Sequence, residues 1–344
     1  MARKNRSLRA RRERECRRLW MIRVLSIALA TLMLAATAVA QTGEAGWPDR
    51  PIRLVVPFPA GSSTDIVARI IAQKLGQRLG QQIVVENRAG ASGNIGVDAV
   101  AKAAPDGYTI GIATASTQAV AVSLGTNLPY DPIKDFAPVA MIGSQPYVLV
   151  LYPGLPAQDM AQLIALAKAK PGALNYGSAG VASLAHLATA LFASMAGVNI
   201  IHVPYKSSSQ SMTDMITGRL DMQFATIAPS LPTIRAGQLR ALVTSGKTRV
   251  AALPELPTVA EAGIAGYEAA LWVSFVVPSR TSPRIIARLN REVNDILESS
   301  DGTEALVAQG MAPEPGPPEE LTERIRGDIE KWRGVAAKAG IRSE

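Results

Sequence analysis

A run of small and hydroxyl residues sits where an apolar segment gives way to a helical pattern: Pro57-Phe58-Pro59-Ala60-Gly61-Ser62-Ser63-Thr64-Asp65. The apolar stretch 52–56 before it reads as a buried strand, and the helix pattern begins near Asp65. A turn of this composition presents backbone N–H groups and hydroxyls at a helix start, where the unpaired amides of the first turn attract an anion. A second such turn is Tyr176-Gly177-Ser178-Ala179-Gly180-Val181-Ala182-Ser183, after the strand-like Leu174-Asn175-Tyr176 and before a helix from Ser183. Both turns lie at strand C-termini, where open α/β sheets place ligands. Each helix start carries roughly half a positive charge. Two aimed at one small carboxylate would hold it between two lobes without an arginine.

Other chemistry is poorly supplied. Beyond residue 40 there are two histidines, His186 and His202, and no cysteine. No H-E-x-x-H, C-x-x-C or G-x-S-x-G pattern occurs, so neither metal nor cofactor is expected and no catalytic residue is assigned. Ser178 and His186 would stand at a helix start and one turn on, a poor nucleophile–base geometry. Gly90-Ala91-Ser92-Gly93-Asn94-Ile95-Gly96 has G-x-x-G-x-x-G rather than dinucleotide-binding spacing and reads as a tight strand-to-helix turn. Asp65 has two readings: it stabilises the first helical turn through the dipole, or it reads an amine, hydroxyl or water on the ligand. His186 reads as a hydrogen-bonded packing residue, Tyr205 as a hydroxyl offered to the cleft, and Trp272 as hinge core.

The elements that must position these turns alternate. Strands are expected at 52–56, 83–86, 108–113, 147–151, 174–176, 200–203, 221–225 and 239–244. Helices are expected at about 66–79, 93–103, 157–169, 184–196 and 208–217. This rhythm argues for parallel sheets covered on both faces. The C-terminal part is helical near 283–299, 303–310 and 318–339. The apolar runs 147–151 and 271–277 look like crossings between lobes.

A leader precedes all of this. Met21-Ile22-Arg23 is followed by an apolar run over 24–39 and by Ala38-Val39-Ala40, the n-region, h-region and A-x-A site of a secretory signal peptide, with cleavage expected near Ala40. Met21 reads as the true start. The chain has 36 Lys+Arg and 28 Asp+Glu; ten of the first and two of the second lie within 1–40, leaving 26 of each. A neutral mature chain has no electrostatic footprint for nucleic acid. The single cysteine, Cys16, goes with the leader.

Longer segments carry a resemblance. They include Trp47-Pro48-Asp49-Arg50-Pro51-Ile52, the 57–65 loop, Glu86-Asn87-Arg88-Ala89-Gly90-Ala91-Ser92-Gly93-Asn94-Ile95-Gly96, Leu128-Pro129-Tyr130-Asp131-Pro132, Asp135-Phe136-Ala137-Pro138-Val139, Val203-Pro204-Tyr205-Lys206 and Leu253-Pro254-Glu255-Leu256-Pro257-Thr258. In order and number they resemble the Bug-type periplasmic substrate-binding receptors of tripartite tricarboxylate transporters. The resemblance implies an α/β, two-lobed periplasmic-binding-protein (Venus flytrap) fold, type II-like, with two crossing strands. It implies lobe one at about 47–148 plus 272–344 and lobe two at about 149–271. It implies a small organic carboxylate gripped by Phe58, Ala60, Gly61, Ser62, Ser63 and Asp65 from lobe one and by Ser178, Ala179, Val181, Ala182 and Ser183 from lobe two, with Thr114, Ser116, Tyr205 and Thr226 as further liners. It also implies a monomer in the periplasm that serves inner-membrane permease subunits; presentation of the ligand to a membrane sensor kinase is the alternative. Ser62, Ala182 and Ser207 stand where the family usually has glycine, and Gln118 where it often has histidine, which leaves the ligand's size and polarity open.

Overall fold

Strand β1 (Ile52–Val56) is apolar at four of five positions and runs between β2 (Ile83–Asn87) and β3 (Thr109–Thr114), parallel to both. The structure, a computed structural model, describes residues 46–181 and 183–341. The expected leader, its cleavage site and Ala182 lie outside the described residues. Residues 46–49 fall in an N-terminal unit ending at Asp49 and form neither helix nor strand; among the described residues, the regular structure lies in the second unit, Arg50–Glu344.

Helix α1 (Ser63–Leu79) links β1 to β2, and α2 (Asn94–Ala101) links β2 to β3. After β3 the chain makes one π-helical turn (Ser116–Val120), a single α-turn, α3 (Ala121–Ser123), and then β4 (Phe136–Leu151). A second parallel set follows: α4 (Met160–Ala169), β5 (Asn175–Ser178), α5 (Leu184–Ala196), β6 (Ile201–Pro204), α6 (Ser208–Ile216) and β7 (Met222–Thr226). Helix α7 (Ile227–Arg235), β8 (Arg240–Thr244) and β9 (Ala270–Pro278) return the chain to the first set, where α8 (Pro283–Glu298), α9 (Ser300–Val307), β10 (Ala312–Pro313) and α10 (Glu319–Ala339) complete it.

The strand order is β2-β1-β3-β9-β4-β7-β5-β6, with β8 and β10 also paired to β4. Only the outer sets are parallel; β9 and β4 run antiparallel to their neighbours and join them. Strand β4 makes the join because of its length. Phe136 to Pro146 pairs with β9, and Tyr147 to Leu151 pairs with β7. Successive side chains alternate faces along a strand, so Gln145 and Tyr147 face one way, and Ser144 and Pro146 the other.

Several boundaries differ from the sequence reading. Strand β4 begins at Phe136, not 147, because Pro138 and Pro146 read as breakers in a strand; the register shifts near Pro138 absorb part of the irregularity. Helix α7 went unread for the same reason, since it contains Pro229 and Pro232. Pro229 lies in the first turn, where a missing N–H removes no intrahelical bond. The helix expected over 93–103 is a 3-10 turn followed by α2, broken where Gly93 takes φ 100°. Helix α9 begins three residues early because Ser299 Oγ accepts from Gly302 N–H at 3.2 Å.

Candidate functional site

The loop from β1 to α1 is pinned from inside. Asp65 is buried, and its carboxylate accepts from Gly61 N–H (2.9 Å), Asn87 Nδ2 (2.8 Å) and Arg69 Nε (3.0 Å). Asn87, at the end of β2, also donates to the Phe58 carbonyl at 3.0 Å. Burial by itself would raise the Asp65 carboxyl, but the hydrogen bonds from Arg69, Asn87 and Gly61 outweigh it and hold the group below the usual carboxylate range. Asp65 is therefore engaged in shaping the loop. Gly61 has φ 77°, a left-handed turn that aims its amide at Asp65. Ser62 caps α1 by accepting from Asp65 N–H at 3.2 Å, and the amides of Ser63 and Thr64 point forward from the helix start.

The loop from β5 to α5 is braced differently. Ser183 caps α5 by accepting from His186 N–H at 3.3 Å, and its hydroxyl donates to the Gly180 carbonyl at 2.7 Å. Behind the loop, the rings of His186 and His202 stack at 3.9 Å and 7°, with Tyr176 against the outer face of His202. His186 Nδ1–H donates to the Val181 carbonyl, and His202 Nε2 pairs with Ser178 Oγ at 2.6 Å. Desolvation by burial lowers both histidines, His202 to about 3 with a further push from His186. Both rings are neutral at pH 7. Ser178 thus has a histidine partner, though not the His186 considered from sequence: β5 and β6 are adjacent parallel strands, so His202 lies beside Tyr176 in the register. Ser178 is fully buried.

These loops meet at a partly open cavity of about 60 Å³. Of the residues expected to grip a ligand, Phe58, Ser62, Ser63, Ser116, Ala179, Ser183 and Thr226 form its wall. Ala60, Gly61, Asp65, Thr114, Ser178, Val181 and Tyr205 do not. Thr114 is buried beneath the wall, and neither its hydroxyl nor the side-chain amide of Gln118 makes a hydrogen bond. The Tyr205 hydroxyl turns away to donate to Asp214 at 2.8 Å. That carboxylate lies on α6, one helix removed from the cleft.

The wall also contains Pro59, Thr64, Tyr147, Ala185, Ser207, Ser208 and Leu271, none of them among the residues expected to grip the ligand, although Ser207 was expected near the cleft. Ser207 carried a legible signal, a hydroxyl run after strand 200–203 as at the first turn. It caps α6 by accepting from Gln210 N–H at 3.3 Å. Tyr147 and Leu271 carried none, because an apolar strand residue looks the same facing a cavity or a core. Burial pushes the Tyr147 hydroxyl well above its ordinary range, so it stays protonated.

Four helix starts therefore converge: Ser62, Ser183, Ser207 and Thr226 are the N-cap residues of α1, α5, α6 and α7, and all four are on the wall. Among the described residues, no charged side chain and no histidine lines it. At roughly half a charge each, four starts supply about two positive charges of dipole field. A larger pocket of about 400 Å³ lies against Ser144 and Pro146, the opposite face of β4, with Lys247, Arg249 and Arg324 among its lining. Its cations face Glu268, Glu261 and Glu314, so its field is balanced, unlike that of the smaller cavity. Among the described residues no cluster of metal-ligating side chains occurs, and no helix is long and apolar enough to cross a membrane.

The chain is similar to protein BugT of Bordetella pertussis, 39% identical over 323 residues that cover 94% of this chain and 98% of the relative. Among solved structures it is similar to Rpa4515 of R. palustris with adipate, at a TM-score of 0.84 and 39% identity over 86% of this chain and 99% of that one. It is also similar to MatC from Rhodopseudomonas palustris with bound malate, at a TM-score of 0.78 and 32% identity over 84% of this chain and 99% of that one. These likenesses establish the two-lobed α/β fold of a periplasmic binding protein, type II-like, with β4 and β9 joining its parallel sets. Residues 67–341 match the tripartite tricarboxylate transporter family receptor, and with these relatives the match shows that the chain belongs to that receptor family, the Bug-type solute receptors.

Proposed function

We propose that the protein is an extracytoplasmic receptor that binds a small organic carboxylate in the cavity between its parallel sets and delivers it to inner-membrane permease subunits. The observation that carries this reading is the convergence of four helix starts, three of them capped by serine hydroxyls, on one cavity with no charged side chain among its described lining residues. Such a wall attracts an anion through preorganised amides and hydroxyls. A dipole field worth about two charges suits a dicarboxylate better than a single carboxylate. The adipate and malate held by the two similar structures are of that class. In this reading lobe one comprises about 47–148 plus 272–344, lobe two about 149–271, the leader is removed near Ala40, and the mature monomer works in the periplasm. The protein then acts as a receptor, in keeping with the receptor family to which the chain belongs.

The test is a thermal-shift series on the mature chain with dicarboxylates, monocarboxylates and the matching neutral diamides. A true ligand at one hundred times its Kd adds about 2.7 kcal/mol to stability. The acids are expected to raise the melting temperature and the diamides to leave it unchanged. Equal shifts from acids and diamides would remove the anion argument. Uptake of a labelled binding acid by cells with and without the receptor tests delivery.

A further inference from the structure

The wall hydroxyls are not equivalent, because the fold commits their protons differently. Ser62 Oγ accepts from Asp65 N–H, Ser207 Oγ from Gln210 N–H, and Ser116 Oγ from Leu184 N–H at 3.1 Å. Each of these oxygens has engaged a lone pair and still has its proton to donate. Ser183 has both functions engaged, donating to Gly180 and accepting from His186.

Ser63 is the reverse of the first three. Its hydroxyl donates to Gln145 Oε1 at 2.5 Å. The amide orientation is dictated from the far side: Gln145 Nε2 donates to the Gln309 carbonyl at 2.6 Å. A carbonyl can only accept, so the amide nitrogen must face Gln309 and the amide oxygen must face Ser63. Gln145 is fully buried, and a flip would set oxygen against oxygen at Gln309. A serine has one proton. With that proton held by Gln145, Ser63 turns only lone pairs toward the cavity.

A carboxylate oxygen set against those lone pairs is repelled, and a hydrogen-bond donor is drawn to them. The donor is a hydroxyl and not an ammonium. The four helix starts make the cavity positive, and Asp65, the nearby carboxylate, is fully engaged inside its loop. Building on the carboxylate reading above, we propose that the ligand is a hydroxycarboxylate whose hydroxyl donates to Ser63 Oγ, with Gln145 as the positioning residue that sets the polarity of Ser63. Sites built around a substrate hydroxyl discriminate strongly against the analogue that lacks it.

The experiment is isothermal titration of the mature protein with three pairs of acids that differ only by one hydroxyl: succinate and malate, glutarate and 2-hydroxyglutarate, butyrate and 2-hydroxybutyrate. In whichever pair binds, the hydroxylated member is expected to bind about tenfold tighter or more. Gln145→Met keeps the length of the side chain but releases the Ser63 proton, and the ratio is expected to fall to about twofold or less. Ser63→Ala gives the same collapse while leaving the Gln145 side chain and its bond to the Gln309 carbonyl in place, so a misfolded Gln145→Met does not decide the matter. A wild-type ratio under twofold in a pair that binds overturns the hydroxyl assignment and leaves the carboxylate reading standing. A ratio that persists in Ser63→Ala also overturns it. Binding of none of the six acids removes both readings.

Discussion

Ser62 has two roles that substitution can separate. As N-cap of α1 it stabilises the helix start, and as a wall hydroxyl it has a proton to donate. Replacing a serine cap with alanine costs about 1 kcal/mol, while glycine costs only a few tenths. Ser62→Gly is therefore expected to move the urea midpoint little yet weaken carboxylate binding severalfold; unchanged binding would assign Ser62 to capping alone. The stacked histidines support a second prediction. A histidine lowered to about 3 in the fold and near 6.5 when unfolded leaves the unfolded chain with more protons between those values. Its contribution is complete above about pH 6.5 and lost as pH falls toward 3. The melting temperature is expected to drop between pH 7 and 4, and His202→Asn to flatten that drop. An equally steep fall in the variant would place the acid sensitivity elsewhere.

Helices hold the loops in place as well as ending at them. Gly96 on α2 lies against the start of the β1–α1 loop: a Cβ there would sit 2.7 Å from Pro57 Cα and 2.7 Å from the Arg88 carbonyl. Both are backbone atoms that cannot swing aside. Gly96→Ala is expected to cost about 1–3 kcal/mol by overpacking and to displace the loop carrying Ser62 and Ser63. Denaturant unfolding measures the first effect and ligand titration the second; a variant with wild-type stability would mean that α2 can shift as a unit. Helices α6 and α7 matter to the site only through their first turns, which is why Ser207 and Thr226 reach the wall while Tyr205, just before α6, does not.

The cavity is narrow in the conformation described. About 60 Å³ is room for roughly five waters, too little for a diacid unless the walls part. The bond from Leu184 N–H to Ser116 Oγ ties the second parallel set to the first at the cavity edge. Ligand entry is expected to break and remake it, with β4 and β9 as the connecting strands. A ligand then shifts an open–closed equilibrium. Ser116→Ala is expected to raise the ligand's dissociation rate severalfold and to enlarge the radius of gyration of the unliganded protein in solution scattering. An unchanged dissociation rate would show that this bond does not hold the closed state.

Much of this was present in the chain before it folded. Apolar runs with period-two or uninterrupted burial, and hydroxyl turns before helical patterns, are local signals, so nine strands, the two first-found cradles and the family were legible from residue order alone. Eight of these nine were also well bounded, within a residue or two of the observed limits; 147–151 alone missed, because β4 begins at Phe136. What stayed hidden depends on neighbours distant in sequence. Asp65 looked equally suited to ligand or loop until Asn87 and Arg69 took up its oxygens. The direction of the Ser63 proton is decided by Gln145 and Gln309, 82 and 164 residues apart in their respective contacts. Tertiary structure decided which hydroxyls face the ligand and with what polarity, because a hydroxyl's hydrogen-bonding sense is set by the partner that reaches it and not by its own residue type.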